Sequence, residues 1–294
     1  MTAPAPVRLS FPQKLAVLYD DMRVANAAFS MPMAYLGMLL AHRGLPTWSD
    51  FIWITLAVLG GRNFGHGLNL IVDRDIDAAH PGKRNRSLPS GKITLAEMTV
   101  ATGLMGALFL FATWQLNMLS FIMAPIAMAY LVFYSYSKRI TPATNLAMGV
   151  TTSMAIVGGW IGVTGTLTWQ PFYLFAASYF WVAGFDLTID TRDYAFEAKL
   201  GLRTMISVLG VKGALLTARI FFGVSALLFL GVGPLFQLGW GYYPFWALAA
   251  LSLYRQQRMY DPTNFNMAWK VFFRYNAIFS ALLMLGAAAG VLWR

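Results

Sequence analysis

Residues 50–77 read DFIWITLAVLGGRNFGHGLNLIVDRDID, a long apolar segment that ends in three closely spaced aspartates. Its apolar part, residues 50–70, is long enough to cross the hydrocarbon core of a bilayer as a helix, which takes about 20 residues. Carboxylates beside a membrane are costly unless they are paired or hold a cation. The stretch therefore predicts a transmembrane helix with a functional site at its end.

Apolar segments of the same kind recur along the whole chain. Its 294 residues are 58% hydrophobic and 12% charged, with a mean hydropathy of +0.57, a composition that excludes an ordinary soluble domain. The absence of cysteine excludes disulfides and thiolate metal sites. We predict an all-α, polytopic membrane protein with about nine transmembrane helices. Their expected cores are residues 24–42, 50–70, 96–114, 118–136, 143–164, 170–190, 213–231, 236–253 and 269–292.

The basic residues predict how the chain is oriented in the membrane. Lys and Arg cluster before the first predicted helix and after the second, fourth, sixth and eighth, whereas the connections WQLN, GTLTWQ and FQLGWG contain neither. By the positive-inside rule, the N-terminus is cytoplasmic and the protein is a multi-pass protein of the inner membrane. We assign the net charge of +10 to topology and to contact with anionic membrane lipid, and we expect no nucleic-acid partner. Residues 1–294 are expected to form one membrane-embedded domain, with residues 1–23 as a cytoplasmic N-terminal segment that lacks a signal-peptide pattern.

The first of two acidic clusters is NLIVDRDID, residues 69–77. Asn69, Asp73 and Asp77 are four residues apart, a spacing that places them in a line on one face of a helix, with Asp75 pointing elsewhere. One amide oxygen and two carboxylates in a row suit a hard cation such as Mg²⁺, which substrate phosphate usually completes. This cluster is therefore a candidate metal site.

The second cluster is DLTIDTRDYAFE, residues 186–197. Asp186, Asp193 and Glu197 share one helical face, and Asp190 lies near that face. Both clusters follow predicted helices at their cytoplasmic ends. We therefore expect one divalent-metal site assembled from two distant parts of the chain.

Basic segments surround these carboxylates in the predicted topology. They are HPGKRNRSLPSG at residues 80–91, SKR at 137–139, and Lys199 to Arg203. Mg²⁺ between the carboxylates, with Arg and Lys around it, would form a clamp for a diphosphate, and a diphosphate held in this way is a good leaving group. No GxxxxGK[ST] phosphate loop accompanies them, which counts against an ATP-driven pump.

The stretch NLIVDRDIDAAHPGKRNRSLPSG, residues 69–91, resembles the first aspartate-rich motif and basic loop of the UbiA superfamily of intramembrane prenyltransferases. The second cluster resembles that family's second motif, and YSYSKRIT, residues 134–141, resembles the tyrosine-and-KR segment between them. The resemblance covers nearly the whole chain and is closest to bacterial 4-hydroxybenzoate and menaquinone-pathway polyprenyltransferases. It implies nine helices around a central cavity.

The resemblance also implies the chemistry. A polyprenyl chain would pass from its diphosphate to an aromatic quinone precursor, such as 4-hydroxybenzoate or a hydroxynaphthoate, through an allylic cation. Asp73, Asp77, Asp186 and Asp193 are then the expected catalytic residues. The expected Mg²⁺ ligands are Asn69, Asp73, Asp77, Asp186, Asp193 and Glu197. The basic residues expected to bind the diphosphate are Arg74, Arg86, Lys138, Arg139 and Lys199.

Departures from the family's pattern concern mainly the acceptor. Asn26 and Asn145 stand where relatives often carry histidine, at positions expected to face the acceptor, and Glu197 replaces a motif aspartate. Arg62 falls within a predicted helix, where it is expected to face the cavity and bind either an anionic acceptor or a helix dipole. Two alternatives stay open. One is a UbiA-type enzyme with a non-quinone acceptor (a glycerol-phosphate lipid, a tetrapyrrole or haem), and the other is an ion-coupled secondary transporter or cation channel.

Overall fold

The computed structural model describes residues 9–21, 27–80, 82–199, 201 and 203–293, without the side chains of residues 27–29, 197 and 265–267. Within these residues the chain is helical and contains no strand, which confirms the all-α prediction. The helices are α1 (Phe11–Asp21), α2 (Ala27–His42), α3 (Trp48–Val72), α4 (Arg74–Ala79), α5 (Leu95–Leu116), α6 (Met118–Ile140), α7 (Thr144–Thr164), α8 (Trp169–Asp190), α9 (Tyr194–Lys199), α10 (Met205–Leu235), α11 (Tyr242–Met259) and α12 (Phe265–Leu292).

The long helices correspond one by one to the predicted membrane segments. In the described part of the chain, nine helices have 16 residues or more. Six of them, α5, α6, α7, α8, α10 and α12, are long and apolar enough to cross a membrane by length and composition. A polytopic membrane fold is therefore confirmed, and the count of nine spans stays a prediction.

Helix α10 begins earlier than the seventh predicted segment, which started at residue 213. Thr204 caps its first turn by accepting a hydrogen bond from the backbone N–H of Ser207. Gly210 then breaks the helix with φ 68° and ψ 163°, a conformation that only glycine adopts at low cost. The short first part, residues 205–209, thus precedes a long apolar helix that matches the prediction.

Helices α2 and α7 cross at unusually short range. A Cβ atom on Gly159 would overlap the carbonyl oxygen of Ala34, and one on Gly37 would overlap that of Ile156. Small residues allow this approach, which supplies packing between helices where apolar lipid offers no hydrophobic driving force. The crossing anchors one wall of the bundle, because α2 also packs on α12 and α7 packs on α8.

Helix α1, in the N-terminal segment, has no counterpart among the predicted helices. It lies across the ends of α3 and α5, where Lys14 forms an ion pair with Glu97 at 2.5 Å. The His66 ring nitrogen Nε2 lies 2.9 Å from the carbonyl oxygen of Asp21. This polar contact is consistent with a structural, hydrogen-bonded role for His66 on α3.

Candidate active site

A cavity of about 640 Å³ lies among α3, α5, α6, α7, α8 and α12. Apolar side chains form most of its wall, and its size is typical of a site for a small organic ligand. The polar groups on the wall include Arg62 and Asn69 from α3 and Asp186 from α8. One residue from each acidic cluster therefore borders the same space, as expected for a site built from both clusters.

The first acidic cluster lies at the junction of α3 and α4. Asp73 ends α3, yet the helical hydrogen bonds continue through it, from the Asp73 N–H to the Asn69 carbonyl (2.9 Å) and from the Asp77 N–H to the Asp73 carbonyl (2.8 Å). The Asn69 side-chain amide donates to the Asp73 carboxylate at 3.0 Å. Asp73 and Asp77 are 6% and 4% exposed, whereas the side chain of Asp75 is 86% exposed. The four-residue spacing therefore places these residues as predicted.

Guanidinium groups hold the two buried aspartates of this cluster. Arg139 donates to Asp73 at 3.4 Å and to the Val72 carbonyl at 2.8 Å, and Arg86 donates to Asp77 at 2.6 Å. Burial raises the pKa of the Asp73 carboxyl above its usual value, an effect that nearby Lys138 and Arg139 only partly offset. Arg and Lys side chains therefore surround the carboxylates of this cluster, and such positive charge is what a phosphate-binding site requires.

The second cluster is organised by an asparagine on α7. The side-chain amide of Asn145 donates to Asp186 and to Asp190, each at 2.8 Å. Asn145 is 2% exposed. It is therefore a buried hydrogen-bond donor that the two carboxylates share. Asp190, to which the sequence assigned no role, joins the cluster through this bond.

Asp193 connects the second cluster to the loop that follows the first. Lys83 lies 2.9 Å from one carboxylate oxygen, and Arg192 lies 3.0 Å from the other. Burial alone would raise the pKa of Asp193, but these two cations outweigh it and lower the pKa to about 2. The ring nitrogen Nε2 of His80 is 4.0 Å from the same group, and burial and Lys83 lower the pKa of His80.

Tyr134 on α6 borders the cavity and lies near carboxylates of both clusters, namely Asp73, Asp186 and Asp190. It is the first residue of the YSYSKR segment, so the sequence carried a signal for it, although no role was predicted. Lys83 was also missed. It lies within the basic loop, and nothing local distinguishes it from its basic neighbours there.

The other site residues predicted from the sequence lie at separate places in the described structure or outside it. Arg62 borders the cavity and donates to Asn63 at 3.5 Å. Arg74 is exposed, with its guanidinium 3.5 Å from Asp75, and Lys199 is exposed at the end of α9. Asn26 and the side chain of Glu197 lie outside the described part of the chain. The roles assigned to these residues stay predictions.

The candidate metal ligands of the two acidic clusters are carboxylate and amide oxygens. These are the protein ligands that suit Mg²⁺. Asp73 and Asp77 also repel one another at close range, which a cation between them would relieve. Among the described residues, no three acidic or histidine side chains converge tightly enough to enclose an ion by themselves. Mg²⁺ typically retains water and takes phosphate oxygens as ligands, so an open set of this kind is compatible with a metal that arrives with a diphosphate.

Comparisons with known proteins agree with this geometry. Residues 30–278 match the UbiA prenyltransferase family. The 4-hydroxybenzoate octaprenyltransferase of Vibrio campbellii is 27% identical over 242 residues, which cover 82% of this chain and 84% of that protein. The enzyme of the same name from Neisseria meningitidis serogroup B is 25% identical over 259 residues, 87% of each chain.

Two solved structures share the fold. A UbiA homolog from Aeropyrum pernix K1, solved in its apo form, superposes with a TM-score of 0.81 at 28% identity, covering 90% of this chain and 97% of that one. A UbiA homolog from Archaeoglobus fulgidus bound to GPP and Mg²⁺ superposes with a TM-score of 0.71, covering 94% and 99%. At 19% identity, the second likeness concerns the fold alone.

Proposed function

The chain belongs to the UbiA prenyltransferase family, and on that premise we propose that it transfers a polyprenyl chain from polyprenyl diphosphate to an aromatic quinone precursor. The acceptor we propose is 4-hydroxybenzoate or a hydroxynaphthoate, bound at the cytoplasmic face of the inner membrane. The observation that carries the proposal is the apolar cavity of about 640 Å³ bordered by Asn69 and Asp186, one residue from each acidic cluster. The wall is mostly apolar and carries these polar residues at its border, so it matches a molecule with an apolar chain and a charged head group.

The diphosphate would bind where the two clusters meet. Asn69, Asp73, Asp77, Asp186, Asp193 and Glu197 would hold Mg²⁺, which when bound neutralises the diphosphate and makes it a better leaving group. Arg86, Lys138 and Arg139 surround the carboxylates of the first cluster, and their positive charge is directed at the same region. Lys83 would contribute from the opposite side through its contact with Asp193.

The cavity wall suits the cationic stage of the reaction. When the carbon–oxygen bond breaks, its electron pair leaves with the diphosphate, and the remaining allylic cation must be kept from water. Phe185, Trp269 and Phe272 border the cavity, and aromatic faces attract a cation without reacting with it. The acceptor ring carbon then forms the new bond and loses its proton.

Arg62 is the residue we propose for the acceptor. It borders the cavity on the same face of α3 as Asn69, two helical turns earlier and about 10 Å further along the axis. A guanidinium binds a carboxylate in a planar, two-point geometry. An acidic aromatic acceptor would therefore place its carboxylate on Arg62 and its ring towards the diphosphate.

The test is a screen of acceptors with the purified full-length protein in detergent. A radiolabelled polyprenyl diphosphate, Mg²⁺ and one acceptor at a time are incubated, and products are identified by mass spectrometry. We expect prenylated 4-hydroxybenzoate or hydroxynaphthoate, with turnover abolished by EDTA and restored by added Mg²⁺. Prenylation only of a glycerol-phosphate lipid, a tetrapyrrole or haem would overturn the acceptor assignment. Ion transport into liposomes without diphosphate release would overturn the prenyl transfer itself.

A further inference from the structure

A second cavity, of about 420 Å³, lies between α10 and α11. It is separate from the site described above, since none of its lining residues borders the first cavity. We propose that this groove binds an anionic phospholipid, with the phosphate on Arg219 and Arg258 and an acyl chain along the apolar part. The proposal goes beyond prenyl transfer and does not depend on it.

Within the described residues, the side-chain hydrogen bonds between α10 and α11 lie at one end of the pair. The Trp246 indole N–H donates to the Ala226 carbonyl at 2.8 Å, and the Tyr242 hydroxyl donates to the Phe229 carbonyl at 2.6 Å. Both bonds join the second half of α10 to the first half of α11. Towards the start of α10 and the end of α11, Arg219 and Arg258 line the open space.

The lining is polar at one end and apolar at the other. On α10, Arg219 and Ala226 lie seven residues apart on one helical face, a separation of about 10 Å along the axis. On the antiparallel α11, the face runs from Ala250 to Arg258. The two arginines therefore lie at the open end, and the small apolar residues lie at the closed end. This arrangement matches a phospholipid whose phosphate lies at the open end and whose acyl chain lies towards the closed end.

The charge of the groove favours a phosphate. Within the described residues, neither Arg219 nor Arg258 pairs with a carboxylate, and the lining of the groove includes no acidic residue. Tyr254 and Gln257 add hydrogen-bonding groups beside them. Both side chains are exposed, and a phosphodiester would accept charge-assisted hydrogen bonds from both guanidinium groups.

The open end of the groove faces the same side as the acidic clusters. The Tyr260 hydroxyl, at the end of α11, lies 3.2 Å from the Thr191 hydroxyl at the end of α8. The Lys and Arg pattern predicts that this side is cytoplasmic, and the cytoplasmic leaflet carries the anionic lipids. The groove would therefore open towards the leaflet that supplies its ligand.

Native mass spectrometry of the full-length protein tests the proposal. The protein in detergent is titrated with phosphatidylglycerol or with phosphatidylcholine of the same acyl chains. One basic residue near an anionic lipid contributes about five-fold in affinity, so the variant Arg219→Gln/Arg258→Gln is expected to lose roughly 25-fold in phosphatidylglycerol binding. The matched control is Arg255→Gln, which is exposed on the same turn of α11 but does not line the groove, and its affinity should stay within about two-fold of wild type.

A second variant tests the apolar part without changing charge. A Cβ atom on Gly223 meets nothing within 4 Å, so Gly223→Leu should fold and partly fill the groove. We expect it to weaken phosphatidylglycerol binding several-fold while the thermal midpoint stays unchanged. Equal binding of the two lipids by wild type, or an Arg255→Gln loss as large as that of the double variant, would overturn the proposal. Displacement of phosphatidylglycerol by inorganic phosphate or by polyprenyl diphosphate at equal concentration would also overturn it, in favour of those ligands.

Discussion

Lys83→Met removes a cation that links the loop after the first acidic cluster to Asp193 of the second cluster. The Lys83 amine lies 2.9 Å from Asp193, whose other oxygen accepts from Arg192 at 3.0 Å. Asp193 is 5% exposed, so solvent screens these contacts little. We expect the substitution to destabilise the protein by loosening the loop after α4 from the junction between α8 and α9.

The magnitude follows from the carboxyl group itself. Burial opposes ionisation of Asp193, yet Lys83 and Arg192 lower its pKa from an ordinary 3.8 to about 2. That difference corresponds to roughly 2 kcal/mol in favour of the ionised form. Because Arg192 remains, loss of Lys83 should cost about 1–2 kcal/mol, or a thermal midpoint lower by roughly 2–6 °C.

The pH dependence follows from the sign of this shift. A carboxyl whose pKa is depressed by folding contributes stability above its unfolded pKa of about 3.9, and that contribution is lost as the pH falls towards 2. Lys83 also lowers the pKa of His80, so the comparison belongs above pH 7, where His80 is neutral in both proteins. The difference between wild type and Lys83→Met should be the same at pH 8.5 and pH 7.5. Thermal unfolding in detergent at both pH values measures it.

Lys92→Met is the matched control, because Lys92 is exposed in the same connection between α4 and α5. We expect its midpoint to stay within about 1 °C of wild type, as for most exposed charges. If Lys83→Met melts like wild type and Lys92→Met, the ion pair does not stabilise the protein and the reasoning is refuted. A deficit at pH 8.5 that disappears at pH 7.5 would refute the assignment to Asp193.

Three further substitutions test the site and the packing. Asp73→Asn should lower prenyl transfer at least about 100-fold in a diphosphate-release assay, whereas Asp75→Asn, on the exposed side of α4, should stay near wild type; equal losses would contradict the assignment. Asn145→Leu removes the donor that two carboxylates share, so half-maximal activity should need about ten-fold more Mg²⁺ in a titration, and an unchanged titration would exclude this positioning role. Gly159→Ala should lower the thermal midpoint by roughly 3 °C or more, because the new Cβ overlaps α2, while Gly158→Ala, which meets nothing within 4 Å, should not; similar midpoints would argue against the close crossing.

The helices and their order follow from local properties of the sequence. An apolar run of membrane-spanning length must form a helix, since its backbone groups have no other hydrogen-bonding partners in lipid. The line of Asn69, Asp73 and Asp77 is local in the same sense, because four-residue spacing places side chains on one helical face. The predicted alignment of these three residues is therefore present even though α3 ends and α4 begins between them.

The partners of those carboxylates could not be read from the chain. Asn145 reaches Asp186 and Asp190 across 41 and 45 residues, and Arg139 reaches Asp73 across 66. Which helix lies beside which depends on packing between faces, such as the glycine crossing of α2 and α7, and no local periodicity records that choice. The groove beside Arg219 was missed for the same reason.

The sequence by itself therefore determined an all-α membrane protein with two acidic clusters, because hydropathy, charge and four-residue spacing act over a few helical turns. Only the tertiary structure decided which basic and amide groups hold each carboxylate and how Asn69 and Asp186 come to share a cavity. The physical reason is that burial and pairing energies depend on neighbours brought together by packing. Those neighbours are distant in the chain, and their identity is a property of the assembled bundle.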